Sequence, residues 1–98
     1  MATIEINRAH TLDRDEARRR AEGLAQEMQS ELGIRWSWDG DRIKFDAPSG
    51  AAKGVNGKVH VEAASVRVEV DLPFLLRAIK GTIEGKIVEK LDRIVRGG

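Results

Sequence analysis

Valine recurs at alternate positions in "VHV" (59–61) and "VRVEV" (66–70), with polar or charged residues between. Successive side chains of a strand point to opposite faces, so this pattern makes a ribbon with one dry and one wet side. Val59, Val61 and Ala63, then Val66, Val68 and Val70, share the dry side; Lys58, His60, Glu62, Arg67 and Glu69 share the wet one. The preceding "IRWSWDGDRIKFDA" repeats the alternation, with Ile34, Trp36 and Trp38 before Asp39-Gly40 and Ile43, Phe45 and Ala47 after it. Asp-Gly between two such runs is the strongest short-range hairpin signal. "TIEINRAH" adds a shorter strand through Ile4 and Ile6. Strands that are dry on one side only imply an antiparallel sheet covered on a single face.

Two helical patterns supply the cover. "TLDRDEARRRAEGLAQEMQSELG" places Asp13 three residues before Glu16, a capping-box spacing, with Leu12 set to staple onto Ala17. Ala17, Ala21, Leu24, Ala25, Met28 and Leu32 then recur on one face, and Gly33 is the expected C-cap. Gly23 inside this helix suggests a close neighbour. The last segment starts with Pro73 at the first helical position, followed by a stripe of Leu76, Ile79, Ile83, Ile87, Leu91 and Ile94. The expected order is β-α-β-β-β-β-α: an α+β fold, with one curved antiparallel sheet and both helices on one face. Residues 1–98 form a single domain, with fraying confined to Arg96-Gly97-Gly98.

Composition narrows the function classes. The chain has no cysteine, which excludes disulfides, thiolate catalysis and cysteine-based zinc sites. A formal net charge of +1 provides no global field for nucleic acid or anionic lipid. Arg18, Arg19 and Arg20 read as a solvated helix surface paired with Asp15 and Glu16. "MATIEINRAH" lacks the apolar core of a signal peptide, and no run approaches the roughly 20 apolar residues of a membrane span. A cytoplasmic protein of bacterial type is expected.

The stretch "PSGAAKGVNGKVHV" is the one that most resembles a ligand loop. Gly50, Gly54 and Gly57 nevertheless have neither P-loop nor dinucleotide-loop spacing, and a strand follows instead of a helix. A flexible corner between two strands is expected. His10 and His60 have no partner at metal-ligand spacing, and Ser49 has no identifiable base. No catalytic residue, metal site or cofactor is predicted.

Phe74, Ala78, Gly81, Gly85 and Val88 form a second strip on the C-terminal segment, away from the isoleucine stripe. Interior helix glycines cost roughly 1 kcal/mol each, so two of them ask for a reason. Two readings stand side by side: a partner-binding surface, including a homodimer through this helix, or tight packing against the first helix of the same subunit.

Four pieces, in order and spacing, resemble a known family: "INRAHTLDRDEARRRAE", "WSWDGDRIKF", "GVNGKVHVEAASVRVEVDLP" and "LLRAIKGTIEGKIVEKLD". The chain resembles the polyhydroxyalkanoic acid system proteins, also called polyhydroxyalkanoate granule-region proteins. The resemblance spans nearly the whole chain and implies a link to bacterial polyhydroxyalkanoate synthesis or use, with some members at the storage-granule surface. It brings no agreed enzymatic activity and no catalytic residues. The layout is also similar to a trimmed helix-grip domain, a class that holds apolar ligands between sheet and helix.

The expected function is therefore a non-enzymatic accessory or binding protein of polyhydroxyalkanoate granules, working on a granule-associated protein or the polymer surface. The alternative is a small carrier for a hydroxyacyl or fatty-acyl group, with Trp36, Trp38, Phe45 and Ile83 lining the pocket. The core residues are enough only to fill the core, which argues against a large cavity. An enzyme is the least supported reading.

Overall fold

The computed structural model describes residues 3–50 and 52–96. Its elements are β1 (Ile4–Ala9), α1 (Arg14–Leu32), β2 (Arg35–Asp39), β3 (Arg42–Asp46), β4 (Asn56–Val61), β5 (Ser65–Asp71), a 3-10 helix (Phe74–Ile79) and α2 (Lys80–Val95). All strand pairs are antiparallel and the sheet order is β1-β5-β4-β3-β2. β2 to β5 run as a meander, while β1 adds to the far side of β5. α1 thus carries the chain from one sheet edge to the other. The fold is α+β with one open sheet, as the alternating pattern requires. Fraying at Gly97 and Gly98 concerns positions outside the described residues.

The register builds the dry face row by row. Trp38, Ile43, Val59, Val68 and Ile6 are successive cross-strand neighbours; Trp36, Phe45, Gly57, Val70 and Ile4 form the next row. Ile34, Ile43, Val59, Val61, Val66, Val68 and Val70 are buried, and Trp36, Trp38 and Phe45 are half-buried. Ala63 departs from the expectation. β4 ends at Val61, the Glu62 N–H donates to the Ser65 carbonyl at 2.9 Å, and Ala63 sits exposed in that turn. The β2–β3 hairpin turns at Gly40-Asp41, one residue later than Asp39-Gly40, because Asp39 still pairs with Arg42. Gly40 has φ 64° and, among the described residues, no non-glycine residue has positive φ, the pattern of a II′ turn.

α1 begins as its sequence predicts. The Asp13 carboxylate accepts from the Glu16 N–H at 2.9 Å. Glu16 does not return the bond; its own carboxylate binds Arg19 and Arg20. Gly33 closes the helix in the left-handed region at φ 70°. Ala17, Ala21 and Ala25 are the buried positions of α1. Gly23 is exposed, and a Cβ there would meet nothing within 4 Å, so it marks no close approach.

The C-terminal segment differs most from its sequence reading. Pro73 precedes a 3-10 helix rather than opening an α-helix, and α2 starts only at Lys80. Leu91 and Ile94 seal against the core, whereas Leu76, Ile83 and Ile87 are half-buried and Ile79 is 50% exposed. The apolar stripe closes at one end and stands off at the other.

Candidate functional site: an apolar cavity between sheet and helices

That standing-off leaves a cavity of about 480 Å³, which corrects the expectation of a filled core. Its sheet side is Ile43, Phe45, Val59, Val68 and Val70; α1 contributes Ala21, Leu24, Ala25 and Met28. Leu76, Ile79, Ile83 and Ile87 close the far side, and Glu31, Lys86, Glu89 and Lys90 supply the charged rim. Small side chains on α1 explain the unfilled space. Ala21 and Ala25 face large sheet residues, and α2 does not descend far enough to replace the missing volume.

An ion-pair cluster bridges the two helices at the rim. The Lys90 ammonium donates to Glu27 at 2.7 Å and lies 3.6 Å from Glu31, while Arg93 reaches Glu27 at 3.5 Å. The hydrogen bond from Lys90 holds the Glu27 carboxyl below its ordinary value, and the same bond raises the Lys90 ammonium. Lys86, on the same rim, forms no ion pair among the described residues.

Of the residues predicted to line a pocket, Phe45 and Ile83 do so. The indoles of Trp36 and Trp38 turn to α1 instead, donating to Gln29 and Glu22, each at 2.8 Å. The Arg18 guanidinium stacks over Trp38 at 4.0 Å. The two tryptophans clasp edge strand β2 to α1, a role that their shared face with Ile34 does not distinguish from pocket lining.

The second strip is divided. Phe74 and Ala78 belong to the 3-10 helix, so they are not in helical phase with Gly81, Gly85 and Val88. Phe74, Ala78, Gly81 and Gly85 are exposed, and Val88 is half-buried against the core. A Cβ at Gly81 or Gly85 would meet nothing within 4 Å, which rules out tight packing of these glycines against α1.

The glycine-rich corner is a strand-to-strand connection. Ala47 donates to the Val55 carbonyl at 2.8 Å, Gly54 donates to that of Ala47 at 3.0 Å, and Gly50 and Gly54 have φ 83° and 94°. Gly57 is different. It lies within β4, where a Cβ would collide with the Glu69 carbonyl oxygen and sit 2.6 Å from Cζ of Phe45.

Neither histidine belongs to the cavity lining. His10 is buried; its Nδ1 accepts from the Leu12 N–H at 3.1 Å, so Nε2 carries the proton given to the Glu62 carbonyl at 2.9 Å. His60 pairs with Glu69 on the wet face at 2.7 Å, and this bond, with Arg67 beside it, lowers the Glu69 carboxyl. Among the described residues no group of three His, Asp or Glu is placed to hold a metal ion. No helix among them is long and apolar enough to cross a membrane.

A family model described as "Putative polyhydroxyalkanoic acid system protein" matches residues 4–95, and the chain belongs to that family. No curated protein and no solved structure matches it.

Proposed function

We propose that the chain is a non-enzymatic binding protein of the polyhydroxyalkanoate system that takes an acyl chain, hydroxyacyl or fatty-acyl, into the cavity between sheet and α2. The carrying observation is the cavity itself. Its volume of about 480 Å³ falls within the 300–1,000 Å³ range of ligand pockets. It is also roughly three times an apolar cavity of about 150 Å³ that accommodates benzene. An apolar interior with charges at the rim matches a ligand that is oily along its length and polar at one end. The inward-facing side chains are aliphatic or aromatic, an environment suited to holding a chain rather than to moving protons. Membership of the polyhydroxyalkanoic acid system family supports such a setting for the ligand. On this reading the protein works in the cytoplasm as an accessory at the storage-granule surface.

The test is titration of isotope-labelled protein with decanoate and with 3-hydroxydecanoate, followed by amide NMR. Saturable shifts centred on Phe45, Val68 and Ile83 are expected. Ile83→Trp, which fills the cavity, should abolish them while leaving the spectrum folded. No saturable shift with either ligand, in a folded protein, refutes the reading.

A further inference from the structure

The cations of this chain fall into two groups. Arg8, Arg14, Arg18, Arg19, Arg20, Arg35, Arg42, Lys44, Arg67, Lys90 and Arg93 all have a carboxylate partner. Among the described residues, Lys53, Lys58, Arg77, Lys80, Lys86 and Arg96 have none; Lys58 lies within β4 and Arg96 caps the end of α2, while the other four map to the cavity end of the molecule. Arg77 and Lys80 lie in or next to the 3-10 helix, and Lys86 is on the cavity rim. Lys53 precedes Gly54, whose Cβ position would lie 3.2 Å from the Pro73 ring that starts the 3-10 helix. Between Leu72 and Ile83 there is no carboxylate at all. Glu84 and Glu89 come only further along α2.

The same end carries the most exposed large apolar side chains. Phe74 is 82% and Leu75 84% exposed, with Ile79 at 50%. Leu76 and Ile79 line the cavity on the inner side of this segment, so the 3-10 helix is apolar inside and out. Water is a poor solvent for such a segment, and a protein core would leave four cations unpaired. An anionic interface with an oily interior satisfies both sets of groups at once.

We propose that this end of the molecule docks on an anionic phospholipid–water interface, with Phe74 and Leu75 inserted among the acyl chains and Arg77, Lys80, Lys53 and Lys86 against the headgroups. The charge pattern selects this occupant over a second copy of the chain, whose identical end would bring four unpaired cations against four more. Neither Phe74 nor Leu75 lines the cavity, so this docking stands or falls apart from acyl binding.

Because the chain lacks cysteine, Leu75→Cys offers a unique attachment site for an environment-sensitive fluorophore. The probes are vesicles of pure phosphatidylcholine and vesicles of equimolar phosphatidylcholine and phosphatidylglycerol, in about 0.1 M salt, where screening is moderate. A blue shift on the anionic vesicles alone is expected, along with co-sedimentation of the unlabelled wild type. Each cation near such a surface contributes about fivefold to partitioning, so Arg77→Gln/Lys80→Gln should weaken binding about 30-fold. Phe74→Ser/Leu75→Ser should lose it while keeping its far-UV dichroism. Three results overturn the proposal: no partitioning by the folded wild type, partitioning indifferent to lipid charge and to Arg77→Gln/Lys80→Gln, or a label already buried in a dimer without vesicles.

Discussion

The Lys90 ammonium stands 2.7 Å from the Glu27 carboxylate, and this contact ties α2 to α1 at the cavity rim. Its pH dependence has two limbs. Glu27 titrates below its ordinary 4.5 when folded, so its contribution is present above that value and is lost as pH falls through the folded pKa. Lys90 titrates above its ordinary 10.5, so its contribution is complete below that value and is lost as pH rises through the folded pKa. Urea midpoints should therefore be flat across the neutral range with respect to this pair and fall at both extremes. In Glu27→Gln the alkaline fall owed to Lys90 should be smaller than in wild type, because less of the ammonium's stabilisation remains to be lost. An unchanged alkaline limb in that variant contradicts the bridge.

Gly57 and Phe45 are cross-strand neighbours in which the phenyl ring occupies the space a side chain would need. Gly57→Ala should destabilise the domain by about 1–3 kcal/mol, the range for overpacking a closed site. Gly85→Ala should do the opposite. Nothing lies within 4 Å of its Cβ position, and alanine gains up to about 1 kcal/mol over glycine within a helix. Denaturant melts of the two variants should move in opposite directions; movement in the same direction would refute the pairing.

The contrast between these glycines also shows what the sequence makes legible. Period-two valines identify the strands and their dry face, because burial selects side chains one position at a time. Asp13 and Gly33 mark the ends of α1 for the same local reason. Gly57, Gly81 and Gly23 look alike as letters, yet only the first is hemmed in, and the difference lies in the Glu69 carbonyl and the Phe45 ring on the neighbouring strands. The cavity is less legible still. It arises from the distance between α1 and α2, which depends on where α2 begins, and Pro73 fits the start of either a 3-10 or an α-helix. Alternation puts Trp36 and Trp38 on the dry face, but their hydrogen bonds to Gln29 and Glu22 depend on the path of α1 over β2.

His10 fastens the β1–α1 connection to the β4–β5 turn through both ring nitrogens. His10→Phe preserves a ring but orphans the Leu12 N–H and the Glu62 carbonyl. Each orphaned group costs about 1–3 kcal/mol where water cannot reach it, so a loss of about 2–4 kcal/mol is expected in urea unfolding. His60→Ala removes a pair on the wet face and should cost about 1 kcal/mol or less. Equal losses would show that His10 is not the latch described.

Ala17 and Ala25 lie two turns apart on the buried face of α1, but only Ala25 borders the cavity. Leucine at either position adds three carbons, and the surroundings decide the sign. At Ala17, fully buried away from the cavity, the added volume has nowhere to go and should cost about 1–3 kcal/mol. At Ala25 it enters open apolar space, where cavity filling contributes about 0.5–2 kcal/mol. For a domain of this size each kcal/mol moves the thermal midpoint by roughly 4–8 °C, so the two variants should melt well apart. Ala25→Leu should also weaken decanoate binding, because the new side chain takes part of the ligand's volume. If Ala25→Leu melts below wild type, as Ala17→Leu should, then the space between sheet and helices is already filled in solution. The acyl-binding proposal would then lose its supporting observation.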